Sequence, residues 1–562
     1  MVAQKNIEAI YELSPQQEGM LVESLRSEGN DLFIEQEIHT LPGYVDRGIF
    51  RRVWMRALQR HPILRTAFAW KNRHTPLQIV LDKVELPIMY LDWRGQSKQQ
   101  QDNQLSEYLA EDRRHGFDLS SAPLIRLGLI RTHDDSYTFL WTQHHILFDG
   151  WSRAILLQEL LSAYEAYAKG VPPPDDKTYS YGLYIDWLKK QDMSVAEQFW
   201  RHELEGFYET TSLGTPVNPG ARVSVNKGYA ETDIIFNPVQ IEKIENAARI
   251  HRTTISALLH GIWALLLSRY SGNKDVVFGT TVSGRPLDLP NADLITGLFI
   301  NTLPLRVQVE PGDEFWSWLN AVQSHHLEIR LYEYCSAGQI HQWSQVPGSL
   351  PIYESMLVFE NYPTKTDANM DASDSGRFIG ARTTHALTLL ASTHAGFIIR
   401  AVYNANRLSQ QCVEHIVEHI RKILLHIAEY DQISLAGLLS LIPQHTVPQF
   451  YLVSEFEEDA EILEYIPPRT PLEKKVVELV ADVLGVEQVG MRDRFFTLGG
   501  HSLLATQFIA RVRQSLQVEL PMRSLFESAD MQELVGFIEA AIITKIESLS
   551  ETEAQLLVDR IT

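Results

Sequence analysis

The 562-residue chain is too long for one ordinary core, and 44% hydrophobic with 22% charged residues is the composition of a globular protein that buries a core of normal size. A formal net charge of −21, with no dense run of Lys or Arg, sets the surface against nucleic acid and anionic membranes. Only two cysteines, Cys335 and Cys412, occur and they lack CxxC spacing; this argues against a disulfide framework or a thiolate zinc site and fits a reducing cytoplasm.

The N-terminus, "MVAQKNIEAIYEL", carries acidic residues and no apolar core, so it does not read as a signal peptide. Helices and strands then alternate to about residue 445. "RRVWMRALQRH" has helical periodicity, "YTFLWTQHH" is a short apolar strand, and "SRAILLQELLSAYEAYAKG" is an amphipathic helix closed by Gly170. "VPPPDD" breaks the chain at 171–176. Beyond it come a helix around "YIDWLKKQ", an alternating strand at "ETDIIFN", the helix "TISALLHGIWALLLSRYSG", and a buried strand and loop at "DVVFGTTVSGRP". Its longest apolar runs, such as "IWALLL", are too short to span a bilayer, and no membrane is expected.

This pattern predicts two α/β lobes, 1–175 and 176–445. An acidic, proline-ended stretch at 446–469 reads as a linker. Three amphipathic helices at 470–543, "LEKKVVELVADVLG", "SLLATQFIARVRQSL" and "MQELVGFIEAAI", predict a small all-α bundle, and 544–562 a tail.

Two stretches suggest chemistry. In "WTQHHILFDGW" adjacent histidines end the apolar strand, and Asp149-Gly150 then turns the chain into a helix. Neighbours on a strand face opposite sides, and no HExxH or carboxylate cluster is near, so no metal is expected. The pair is either structural or places one ring toward a cleft as a general base. In "FFTLGGHSLLA" Ser502 is either a helix N-cap or the anchor of a phosphodiester at a helix N-terminus, where the N–H groups and dipole favour an anion.

His144-His145-Ile146-Leu147-Phe148-Asp149-Gly150 resembles the HHxxxDG signature of nonribosomal peptide synthetase condensation domains, a fold shared with chloramphenicol acetyltransferase. "LSPQQEGML", "RHPILRTAF", "YIDWL", "GTTVSGRPLDLP", "GLFINTLPLR" and "YESMLVFENYP" match in the family's order, and the resemblance covers roughly 8–445. It implies two acetyltransferase-like lobes with a tunnel between them. His145 would face the reaction centre there as a base or a positioning group, with His144 structural. Asp149 would lock the loop through a salt bridge to Arg65, and Gly150 would leave room for substrate backbone. Asn361 would support the tunnel, while Ser283, Gly284 and Arg285 would shape the loop bridging the lobes.

"LGGHSLLA" with "PMRSLFE" resembles the peptidyl carrier proteins of the same synthetases, which implies 4'-phosphopantetheine on Ser502. The order implies amide-bond formation. A donor acyl or peptidyl thioester from an upstream carrier protein would join an aminoacyl group on the arm of the in-cis carrier. No adenylation unit lies between the two domains, so the resemblance implies an adenylation enzyme in trans. It also implies a phosphopantetheinyl transferase and a downstream synthetase or thioesterase. "LSPQQEGML" is closer to forms associated with D-configured or polyketide-derived donors. The rival readings are a degenerate docking platform that keeps the fold without the chemistry, and an epimerase, a domain that normally follows its carrier.

Overall fold

The computed structural model describes residues 7–546 apart from 27–31, 72, 74, 214–227, 349, 361–376, 381, 394–395, 443–464, 485, 487, 496–497, 499–507, 510, 514, 517, 519, 521–523, 526–527 and 529. In the first lobe Ser136–His144 is a central strand, antiparallel to Ile34–Pro42 on one side and Ile125–His133 on the other, with Ile88–Asp92 parallel beyond. Covered on both faces, it tolerates almost no exposed position, which is why "YTFLWTQH" reads as a nearly continuous buried run. The helix Arg47–Arg60 packs its Trp54 edge-on to Trp141 of this strand, ring centroids 5.0 Å apart. A small sheet of Ile7–Glu12, Leu77–Leu81 and Thr66–Ala69 completes the lobe.

The second lobe is a six-stranded sheet in the order Asn301–Gln308, Asp275–Val282, Ser355–Glu360, Leu387–Ser392, Ile398–Asn404, Tyr229–Ile235. Its helix Ile255–Ser271 is apolar almost all round because it is buried almost all round. Thr254 caps its start by accepting from the Ala257 N–H, and Gly272, at φ +75°, ends it in the left-handed region. No single helix among the described residues is long and apolar enough to cross a membrane.

The two cores interleave. The strand Arg377–Ile379 leaves the second half of the chain and pairs with Ile34–Pro42 in the first lobe's sheet. Ile295, Leu298 and Phe299 sit in the first lobe's core beside Tyr181, Tyr184 and Ile185. The chain therefore returns to a lobe it had already left, and the strand Arg377–Ile379 covers the open sheet edge at Ile34–Pro42.

Beyond the described lobes, Pro471–Leu484 and Met531–Ile546 form a helical unit with a core of its own, in which Val476, Val480, Phe495, Phe508, Val512, Leu534 and Ile538 are buried. An α/β body of two lobes and a small helical domain are thus both present. Most of the linker expected at 446–469, most of the tail, and Ser502 lie outside the described residues.

Candidate active site

The histidine doublet stands where the central strand ends, and alternation sends its rings to opposite faces. His144 is buried. Its Nδ1 accepts from the Ile146 N–H at 3.2 Å, its Nε2 lies 3.4 Å from Ser24 Oγ, and burial pushes its pKa down to about 3. It lines a cavity of about 600 Å3 inside the first lobe, with Trp70 and Arg126.

His145 faces the other way, into a cavity of about 520 Å3 between the lobes. Its Nδ1 lies 3.1 Å from the Phe148 carbonyl and 3.6 Å from Glu35 Oε1. A carbonyl only accepts, so the hydrogen-bond network assigns the proton to Nδ1 and leaves Nε2 with a free lone pair. Nε2 has no hydrogen-bond partner among the described residues. The ring is oriented and its base is exposed to the cavity.

Asp149 does three jobs at once. Its Oδ1 accepts from the Ser152 N–H at 2.9 Å, capping the helix Gly150–Ala168. The same oxygen lies 3.1 Å from the Arg285 guanidinium, and Oδ2 accepts from the Phe299 N–H at 3.0 Å. Arg285 also donates to the Ala292 and Ile295 carbonyls and to Ser152 Oγ, and it stacks 4.0 Å above the Phe299 ring. This junction clamps the crossing loop onto the helix that starts at Gly150.

The expected Asp149–Arg65 bridge is therefore corrected. Arg65 pairs with Glu8 at 2.7 Å and donates to the carbonyls of Leu58 and Leu81. Its place at the end of the turn Pro62–Arg65 directs it to the small sheet and the helix before it. The loop is locked as expected, by a different arginine. Gly284 holds φ +61°, and a Cβ there would meet the Phe299 carbonyl oxygen at 1.7 Å, so the loop needs glycine at that position. Gly150, Ser283 and Arg285 line the same cavity as His145 and Asp149, and Arg330 approaches Ser283 Oγ at 3.4 Å. Asn361 lies outside the described residues, as does Ser502.

Several cavity residues were not singled out from the sequence. Glu35 is buried, held by the Gln143 side-chain amide at 2.7 Å. Its signal was present: Glu35 and Glu37 alternate on a strand with buried neighbours, and Glu37 is matched by Arg153 at 2.7 Å. On the opposite wall His326 Nε2 lies 3.3 Å from Thr280 Oγ1, which lies 2.6 Å from His260 Nε2; the Ser256 carbonyl anchors His260 Nδ1 at 2.6 Å. Burial lowers the pKa of His260 to about 4 and of His326 to about 3.

These neutral histidines make the fold acid-sensitive. An unfolded histidine takes a proton near pH 6.5, whereas His144 and His260 refuse one until about 3 and about 4, so stability is complete above pH 6.5 and falls as pH drops. At pH 5 each is expected to cost about 2 kcal/mol. All 11 tryptophans precede residue 344, so tryptophan fluorescence during urea unfolding reports the two lobes alone. A denaturation midpoint unchanged between pH 7 and pH 5 would contradict this account.

Residues 7–440 match the Condensation domain family, and 474–538 match the family described as Phosphopantetheine attachment site. A linear gramicidin synthase polypeptide of Brevibacillus parabrevis is 37% identical over 424 residues, covering 75% of this chain and 5% of that protein. Bacitracin synthase 3 of Bacillus licheniformis is 32% identical over 450 residues, covering 78% of this chain and 7% of that protein. The chain thus spans less than a tenth of the length of either relative. Among solved structures, the starter condensation domain of rhizomide synthetase superimposes with a TM-score of 0.63 at 15% identity, covering 78% of this chain and all of that one. The first condensation domain of the calcium-dependent antibiotic synthetase gives 0.63 at 17% identity, over 76% and 99%. At such identities these two structures establish the fold.

Proposed function

Because the chain belongs to the condensation-domain family of nonribosomal peptide synthetases and carries a phosphopantetheine attachment domain behind it, we propose that it forms an amide bond between a donor acyl or peptidyl thioester and the amine of an acceptor on its own carrier. The observation that carries this reading is His145, oriented through Nδ1 with Nε2 free in a cavity shared by both lobes.

The residues suit the pantetheine group. Ser502 offers the hydroxyl a phosphodiester needs, the carrier core closes on its own side chains, and about 520 Å3 between the lobes is room for a slender arm with an aminoacyl end. When attached, the group supplies a thioester handle on a long tether, which raises the local concentration of the acceptor. His145 Nε2 takes the proton that the acceptor ammonium must lose before its nitrogen attacks the donor carbonyl, or holds the amine in line for attack. Phe148 keeps the ring's other proton in place, and Glu35 offsets the charge that forms on it. The donor arrives on an upstream carrier protein, the amino acid from an adenylation enzyme in trans, and Ser502 is modified by a phosphopantetheinyl transferase; a downstream synthetase or thioesterase takes the product.

Intact-mass measurement tests the whole reading. The pantetheinylated chain, charged with an aminoacyl group and mixed with an acyl-loaded donor carrier, should gain the mass of the donor acyl group. Ser502→Ala should abolish both pantetheinylation and charging. Loading that persists in Ser502→Ala would sink the carrier assignment.

A further inference from the structure

Glu360 ends the second lobe's strand Ser355–Glu360. Alternation puts Met356, Val358 and Glu360 on one face, and all three line the cavity beside Leu390 of the parallel neighbour. An apolar wall therefore terminates in a carboxylate. That carboxylate has no hydrogen bond and no ion pair among the described residues. The cations whose fields reach it are engaged elsewhere: Arg153 holds Glu37 at 2.7 Å, and Arg400 holds Asp233 at 2.8 Å. Glu360 is half-buried on the cavity wall, and a carboxylate held there without a partner gains from a ligand cation. Burial, with the nearby Glu35 carboxylate, raises the pKa of Glu360 above the usual carboxylate range, while Arg153, Arg400 and His145 pull it back, so its proton affinity is set by groups on both lobes.

We propose that Glu360 receives the ammonium group of the acceptor, on the cavity wall that the second lobe presents to His145. The inference rests on the amide-forming reading of this cavity and names the residue that positions the amine. An ammonium N–H donates to a Glu360 carboxylate oxygen. One of the remaining ammonium protons passes to His145 Nε2, and the neutral amine that results keeps its hydrogen bond to Glu360 while its lone pair is freed. No other atom moves in this step. Glu35 cannot serve in the same way, because Gln143 and the Nδ1 side of His145 already occupy it.

Binding without turnover tests the proposal. The probes are glycine joined to pantetheine by a stable amide in place of the thioester, and the same compound N-acetylated, which lacks the cation. Calorimetry on the full chain should show the ammonium form binding about tenfold tighter, the scale of one charge-assisted hydrogen bond. Glu360→Gln, of the same shape, should erase that preference, while Glu360→Asp should keep part of it. A preference that survives in Glu360→Gln, or one absent from the wild-type chain, overturns the assignment. In turnover the Gln variant should raise KM for a soluble glycyl thioester and leave KM for the donor unchanged; a matched rise in both would also overturn it. Because the binding ratio is read without catalysis, failure of amide formation in the wild type would defeat the function and leave this result to be judged separately.

Discussion

Replacing His145 with alanine is expected to slow acyl transfer by about 10²–10⁴-fold, the range that general acid–base groups contribute, while pantetheinylation and charging of Ser502 continue. The expectation follows from the ring's hydrogen bonds. With Nδ1 turned to the Phe148 carbonyl and Glu35, Nε2 is the one imidazole lone pair the motif offers to the cavity. Alanine leaves water in its place, which is a weaker and unoriented base. The size of the loss separates two roles. A ring that only holds the amine in line contributes through orientation, and added imidazole should then restore little. A ring that removes a proton contributes through its lone pair, and added imidazole diffusing into the cavity should recover part of the rate. Transfer is read as acyl mass on the charged chain, corrected for the uncatalysed reaction. Undiminished transfer in the variant would remove His145 from the reaction.

Much of this site was legible in the sequence because it is local. A strand that stops at two histidines, an Asp-Gly turn and a helix start lie within a dozen residues; strand alternation puts His144 and His145 on opposite faces, and the family resemblance indicates which of them meets the cavity. The long apolar helix Ile255–Ser271 and its Thr254 and Gly272 boundaries were equally readable. What the sequence hid is what the crossing loop brings together. Asp149 and Arg285 are 136 residues apart, and no periodicity links them. Arg65 was assigned through the family resemblance of its neighbourhood, yet it pairs with Glu8 instead. Glu360 was similarly hidden: it stands in a recognised stretch, but its facing wall is formed by helix, loop and strand residues of the other lobe, among them Met20, Glu35 and Arg153. Pairings across lobes depend on register and loop path, which local patterns do not encode.

The Asp149–Arg285 pair is expected to carry the second large effect. Arg285→Ala should destabilise the lobes by about 3–5 kcal/mol, because it strands a buried carboxylate. Asp149→Ala should cost at least as much. It leaves the guanidinium buried without its counter-charge, removes the cap of the helix Gly150–Ala168, and orphans the Phe299 N–H. Since both single changes break one interaction, the double variant should lose clearly less than their sum. Asp149→Ala combined with Arg65→Ala should instead be additive, because Arg65 works through Glu8 and the Leu58 carbonyl. Urea unfolding followed by tryptophan fluorescence supplies all the values. Coupling between Asp149 and Arg65, with additivity between Asp149 and Arg285, would reverse the assignment. Transfer should fall in the Asp149 variant even where the lobes remain folded, because the carbonyl that orients His145 belongs to the residue immediately before Asp149. Loosening the clamp thus releases the tautomer, and the chemistry depends on a contact that itself touches no substrate.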